Sequence, residues 1–206
     1  MNNIKWIFFD LDGTLVDNIP ELYRVYINFL KNYGIKGNKK EFERLNGPSL
    51  TEIISILKNK YHIDRSSKRL FADYLKQIQI AYKKMKPKKH SRQLLDILNK
   101  NGYKLALVTS SPRNLSCLLL KQYGWKKFFK HYVFGDDIFH SKPHPSIYKV
   151  CLKKTKAIAK QTLVIEDSKN GFKSATKAGL KCVLLKKNVN LYNIIKILNN
   201  YERQII

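Results

Sequence analysis

From Ile4 to Phe9 the chain is apolar at every position except Lys5, and it turns polar abruptly at Asp10. A short continuous apolar run of this kind predicts a parallel strand covered on both faces. From about residue 17 to 86 the period changes. Leu22, Val25, Tyr26, Phe29 and Leu30 fall at i, i+3, i+4, i+7 and i+8. Leu50, Ile53, Ile54 and Leu57 repeat helical spacing, as do Phe71, Tyr74, Leu75, Ile78 and Tyr82. These are the stripes of amphipathic helices, and their aromatic members read as packing. Breaks at Gly34, Gly37 and Gly47-Pro48 divide three or four helices with no strand among them.

Beyond Pro87 strands and helices alternate. The pattern predicts a helix over 93–100, a strand over 105–108, a helix from Pro112 to Gly124, and a strand over 132–134. A helix over 146–153 and a strand over 163–165 follow. Next come a helix capped by Ser168 and ended by Gly179, a strand over 182–185 and a final helix near 191–198. Alternation of this kind builds a parallel sheet with helices on both faces. The expected fold is therefore α/β: a Rossmann-like core from residues 1–16 and 87–206, interrupted by an all-helical insert over 17–86.

Composition adds one strong feature. Forty Lys+Arg face 15 Asp+Glu in 206 residues, a formal charge of +25. Such a field favours anionic substrates and salt-sensitive association, and it admits nucleic acid as a partner. Yet the basic residues are scattered, with only short clusters at Lys39-Lys40, Lys83 to Lys89 and Lys186-Lys187, and no base-stacking motif among them. The charge is read first as a compositional bias. Three well-separated cysteines fit a reduced, cytoplasmic protein, and the five histidines lack ligand spacing. No run has the length to span a bilayer and no signal-peptide pattern opens the chain. Oligomeric state leaves no mark in the residues.

Each core strand is followed by polar groups: Asp10 and Asp12, then Thr109, Ser110 and Ser111, then Ser141-Lys142, then Glu166, Asp167 and Ser168. In a parallel sheet these loops share one edge, where a ligand crevice forms. The set holds a nucleophile, an acid/base, hydroxyl donors, a cation and an acidic cluster, the parts that phosphoryl transfer needs.

In these motifs the chain resembles the haloacid dehalogenase superfamily, and within it the branch of phosphoglycolate phosphatases and β-phosphoglucomutases. Phe9 to Asp17 is similar to the first family motif, Val108-Thr109-Ser110 to the second, Lys142-Pro143 to the third and Glu166-Asp167-Ser168 to the fourth. The resemblance implies a Mg²⁺-dependent phosphatase of a small phosphorylated metabolite, such as phosphoglycolate, a sugar phosphate or a nucleotide. Asp10 would be the nucleophile and Asp12 the general acid/base. Thr109, Ser110 and Lys142 would bind the phosphate. The metal would take Asp10, Asp12 through its backbone carbonyl, and Asp167, with Glu166 as an additional ligand. Aspartate ordinarily ionises near pH 3.9, so Asp10 is expected to need no base. Its obstacle is repulsion: at about 4 Å and an effective dielectric near 20, each unit-charge pair costs roughly 4 kcal/mol.

The insert would be a cap hinged near Val16–Asn18 and Lys84–Lys88, with Arg44 as a candidate for holding a second anionic group. Asp17 is expected to brace the entry to the insert. Leu22 stands where the mutases carry a histidine, which weighs against mutase chemistry. Asp12 is present where the dehalogenases lack an aspartate. The alternatives are a phosphosugar mutase and a basic nucleic-acid- or partner-binding protein on the same scaffold.

Overall fold

The computed structural model describes residues 4–185 and 192–203. In chain order the elements are β1 (Trp6–Phe9), β2 (Val16–Asp17), α1 (Ile19–Lys31), α2 (Lys39–Arg44), α3 (Leu50–Tyr61), α4 (Ser67–Tyr82) and β3 (Lys86–Pro87). There follow α5 (Ser91–Lys100), β4 (Lys104–Val108), α6 (Arg113–Gln122), β5 (Phe129–Val133), α7 (Ser146–Thr155), β6 (Thr162–Glu166), α8 (Lys169–Lys177), β7 (Lys181–Leu184) and α9 (Tyr192–Arg203). The basic pair Lys186-Lys187 and the expected helix start at Leu191 lie outside the described residues.

Five strands form one parallel sheet in the order β5-β4-β1-β6-β7. After β1 the chain builds outward through β4 and β5 on one side, and later through β6 and β7 on the other. Strand β1 is thus the switch point, and the crevice of an open α/β sheet opens at its carboxyl end. Phe9 is in register with Leu107 and Ile165, so Asp10 emerges level with Val108 and Glu166, and Thr109 follows one residue further on.

The alternation of side chains across the pleat explains the uninterrupted apolar runs. Ile7, Phe9, Leu105, Leu107, Leu163 and Ile165 join the apolar layer that also holds Leu94 and Leu98 of α5 and Leu119 of α6. Phe8, Ala106, Val108 and Val164 join the other layer, with Ile147 and Tyr148 of α7 and Ala175 of α8. The chain thus has the expected α/β architecture. Strand β5 begins three residues earlier than the sequence pattern indicates. It is an edge strand with exposed Lys130 and half-buried His131, so a run of apolar positions is missing there.

Residues 19–82 form four helices. Ser49 and Ser66 cap α3 and α4 through hydroxyl oxygens that accept from Glu52 N and Arg69 N, as Ser168 caps α8 by accepting from Gly171 N. Helices α1 and α4 pack through the Phe29 and Tyr74 rings, 4.8 Å between centroids. A buried knot sits at α2. The Glu41 carboxylate accepts from the Tyr26 hydroxyl, the Tyr61 hydroxyl at 2.7 Å and Lys60 Nζ at 2.5 Å. Two features at the ends of this block were not expected. Strands β2 and β3 pair antiparallel, Val16 with Pro87 and Asp17 with Lys86, so both crossings between insert and core lie in one two-rung ribbon. Asp17 accordingly belongs to the entry and not to the crevice.

Candidate active site

Asp10 follows β1 directly, and its N–H donates to Ile165 O at 3.0 Å, which holds the residue at the sheet edge. Lys142 reaches the same point from the loop before α7, beside a cis peptide bond to Pro143. Its ammonium, 2 % exposed, donates to Asp10 Oδ1 at 2.6 Å, to Glu166 Oε1 at 2.5 Å and to Val108 O at 3.4 Å. Glu166 is saturated: its other donors are the Tyr148 hydroxyl at 2.8 Å, the Ser168 hydroxyl at 3.1 Å and the backbone N–H groups of Asp167 and Ser168.

Asp10, Glu166 and Asp167 bring one carboxylate oxygen each to within 4.8 Å of one another. Three acids against one ammonium leave negative charge in excess. Burial pushes the Asp10 carboxyl well above the usual carboxylate range; Glu166, Asp167 and Asp12 push the same way and Lys142 opposes them. Asp167 is pushed up to about 7, by burial first and by Glu166 second. Burial would depress Lys142, but Asp10 and Glu166 reverse that and hold its ammonium charged. The expectation that Asp10 ionises unaided therefore meets opposition from its own neighbours. An all-oxygen donor set with surplus negative charge suits a hard divalent cation. Two glycines make room for this set. Gly13, at φ +77°, has no Cβ to collide with Asp167 Oδ2, and Gly171 has none to collide with the Glu166 carboxylate.

Asp12 points elsewhere. Its carboxylate accepts from the Asn18 amide, from the Tyr82 hydroxyl at 2.7 Å, from Ser111 Oγ at 2.5 Å and from Thr109 Oγ1 at 3.5 Å. The Asp12 carboxylate thus lies outside the three-acid cluster. Burial and the Asp12 charge together push the Tyr82 phenol well up, keeping it a donor. Ser110 lines the cavity, and its Oγ is buried without a partner; among the described residues Thr14 Oγ1 is the other such side-chain oxygen.

The helical insert covers the crevice. Ser49 N–H donates to Ser141 Oγ at 2.9 Å, and Ser141 donates to Glu52 from both its hydroxyl and its N–H. Asn46 Nδ2 approaches Asp167 Oδ2 at 3.4 Å, while Asn170 Nδ2 donates to Asn46 O at 2.7 Å and to Arg44 O at 3.2 Å. Beneath lies a cavity of about 100 Å³ lined by Asp10, Asp12, Thr109, Ser110, Lys142 and Asp167, and on the insert side by residues that include Leu22. The structure does not bring Arg44 there. Its side chain is exposed at the end of α2 and does not line the cavity, because the turn at 45–48 faces the crevice with Leu45, Asn46, Gly47 and Pro48 instead. Sequence reasoning missed Tyr82, Tyr148, Asn18 and Asn46. The two tyrosines sit on helical stripes whose spacing signals packing alone.

A sheet with its switch point at β1, a carboxylate there, a buried lysine and an acidic cluster define a hydrolase class. The profile of the family described as haloacid dehalogenase-like hydrolase matches residues 7–185. The chain belongs to that family. It is 28% identical over 205 residues to a phosphorylated carbohydrates phosphatase of Thermotoga maritima, covering 94% of this chain and 87% of that protein. It is 29% identical over 187 residues to a phosphoglycolate phosphatase of Vibrio parahaemolyticus, covering 86% and 81%. The solved structure of CbbY from Rhodobacter sphaeroides in complex with phosphate superposes with a TM-score of 0.77 at 20% identity, over 91% of this chain and 90% of that one, a likeness of fold. Among the described residues no helix is long and apolar enough to cross a membrane.

Proposed function

We propose that the protein is a divalent-metal-dependent phosphatase of small phosphomonoesters, acting through an aspartyl-phosphate on Asp10, with the helical insert as its cap. The observation that carries this is the convergence of Asp10 with Lys142 at 2.6 Å beside a cavity that Thr109, Ser110 and Asp167 also line. The names of the relatives support the same reaction class.

Asp10 and Asp167 would hold the metal, with Mg²⁺ as the natural candidate for carboxylate oxygens and the saturated Glu166 carboxylate adding negative charge beside them. When bound, it supplies positive charge that offsets repulsion between carboxylate and phosphate and favours the ionised form of Asp10. Lys142 does part of that work permanently, since it is buried, charged and aimed at Asp10. Ser110 and Thr109 offer hydroxyls to the phosphoryl oxygens. A carboxylate oxygen of Asp10 forms the bond to phosphorus as the ester P–O bond breaks, and Asp12, entering this step protonated, gives its proton to the departing alkoxide oxygen and becomes the carboxylate that its hydrogen-bond donors hold. Water then attacks the phosphorus of the aspartyl-phosphate and loses its proton to Asp12. Inorganic phosphate leaves and the Asp10 carboxylate returns.

Asp10→Asn tests the assignment. With p-nitrophenyl phosphate and Mg²⁺, release of phosphate should fall to background while the far-UV circular dichroism stays that of the parent. Turnover within a few-fold of wild type would overturn Asp10 as nucleophile.

A further inference from the structure

The cavity over Asp10 has two unlike walls. The core wall carries the acids, Lys142 and the hydroxyls of Thr109 and Ser110. The wall from the insert carries Leu22, Phe42, Leu45, Leu50, Ile53 and Ile78; its polar groups are the Asn46 amide and tyrosine hydroxyls. Lys142 is the one cation that lines the cavity among the described residues, and Asp10 and Glu166 already engage it at 2.6 and 2.5 Å. Arg44, exposed at the end of α2, does not line it.

A phosphoryl group on Asp10 must direct its leaving group toward the insert. A carboxylate or second phosphate on that leaving group would lie against hydrocarbon with no counter-ion, a costly burial of charge. The formal charge of +25 draws every anion toward the molecule. It does not alter what the lining accepts.

Resting on the phosphatase reading above, we infer that the site is specific for phosphomonoesters whose leaving alcohol is uncharged and largely hydrocarbon, and that it discriminates against esters bearing a second anionic group. The insert wall sets this preference by offering apolar contact and no cation.

The test is a comparison of kcat/KM for phosphate release with Mg²⁺ present, using propyl phosphate, 2-phosphoglycolate, glucose 1,6-bisphosphate and p-nitrophenyl phosphate. Propyl phosphate should exceed 2-phosphoglycolate and the bisphosphate by about 100-fold or more, since the unpaired charge penalises only the latter two. Equal or better turnover of either ester with an anionic tail overturns the inference and leaves the phosphatase reading standing. No release from any of the four, p-nitrophenyl phosphate included, overturns both. Ile53→Arg gives an independent arm, because Ile53 lines the cavity yet is only half-buried and can accept a longer chain. It should shift the ratio of propyl phosphate to phosphoglycolate turnover toward phosphoglycolate by at least about tenfold. An unchanged ratio in a variant with the parent's Tm would count against the apolar wall as the determinant.

Discussion

Asp12 is fastened by donors from three separate stretches: Asn18 at the entry to the insert, Tyr82 at the end of α4, and Thr109 and Ser111 after β4. A carboxylate so held has its direction set by its neighbours, and Tyr82 is the one that arrives from the insert. In the proposed mechanism Tyr82 would therefore act as a positioning residue. Tyr82→Phe keeps the buried ring and deletes one charge-assisted bond, worth about 1.5–3 kcal/mol. If that energy is realised in the transition state, kcat should drop roughly 10–100-fold with a smaller change in KM. Steady-state kinetics on p-nitrophenyl phosphate will show it, and an unchanged kcat would remove the role. The residues whose chemistry is rare at a strand end, Asp10, Asp12, Lys142 and Asp167, were legible in the sequence because their order along the chain is itself informative. Tyr82 and Tyr148 were not. Each satisfies an apolar stripe and a hydrogen bond at once, and periodicity reports only the first.

At the scale of elements, the sheet was readable where strands are buried on both faces, as in β1, β4 and β6. Strand β5 was misplaced because an edge needs no continuous apolar run, and β2 and β3, at two residues each, are too short to show a period. Helix α2 has a different dependence. Only six residues long, it is anchored by the Glu41 knot, which ties it to α1 through Tyr26 and to α3 through Lys60 and Tyr61. Burial alone would raise the Glu41 carboxyl, but the bonds from Lys60, Tyr26 and Tyr61 outweigh it and hold it below its usual value. A carboxyl depressed in the folded state stabilises the fold above its unfolded value, about 4.3, and that contribution is lost as pH falls through the folded value. Glu41→Gln should therefore cost about 1–2 kcal/mol near neutrality. It should also flatten the decline of stability below about pH 4.3, as urea titrations at several pH values will show. An identical pH slope in variant and parent would refute the knot as a source of acid sensitivity.

For the molecule as a whole, the three-acid cluster predicts a link between metal and stability. A ligand that binds only the folded state at 100 times its Kd adds about 2.7 kcal/mol, which is roughly 5–10 °C in Tm for a chain of this size. Saturating Mg²⁺ should raise the Tm by that order, and excess EDTA should reverse the gain and silence phosphate release. Asp167→Asn relieves repulsion within the cluster, so it should melt no lower than the parent without metal and lose most of the response to Mg²⁺. Activity that persists in EDTA, or a Tm indifferent to Mg²⁺, would reject the metal.

The ribbon of β2 and β3 has an architectural consequence. Because Val16 lies opposite Pro87, the two ends of a seventy-residue excursion meet in space. A cassette anchored at adjoining points can be exchanged, lengthened or replaced by a tight reverse turn without any sheet strand changing neighbours. On the reading proposed above, the scaffold that would perform the chemistry and the module that would choose its target are thereby free to vary independently.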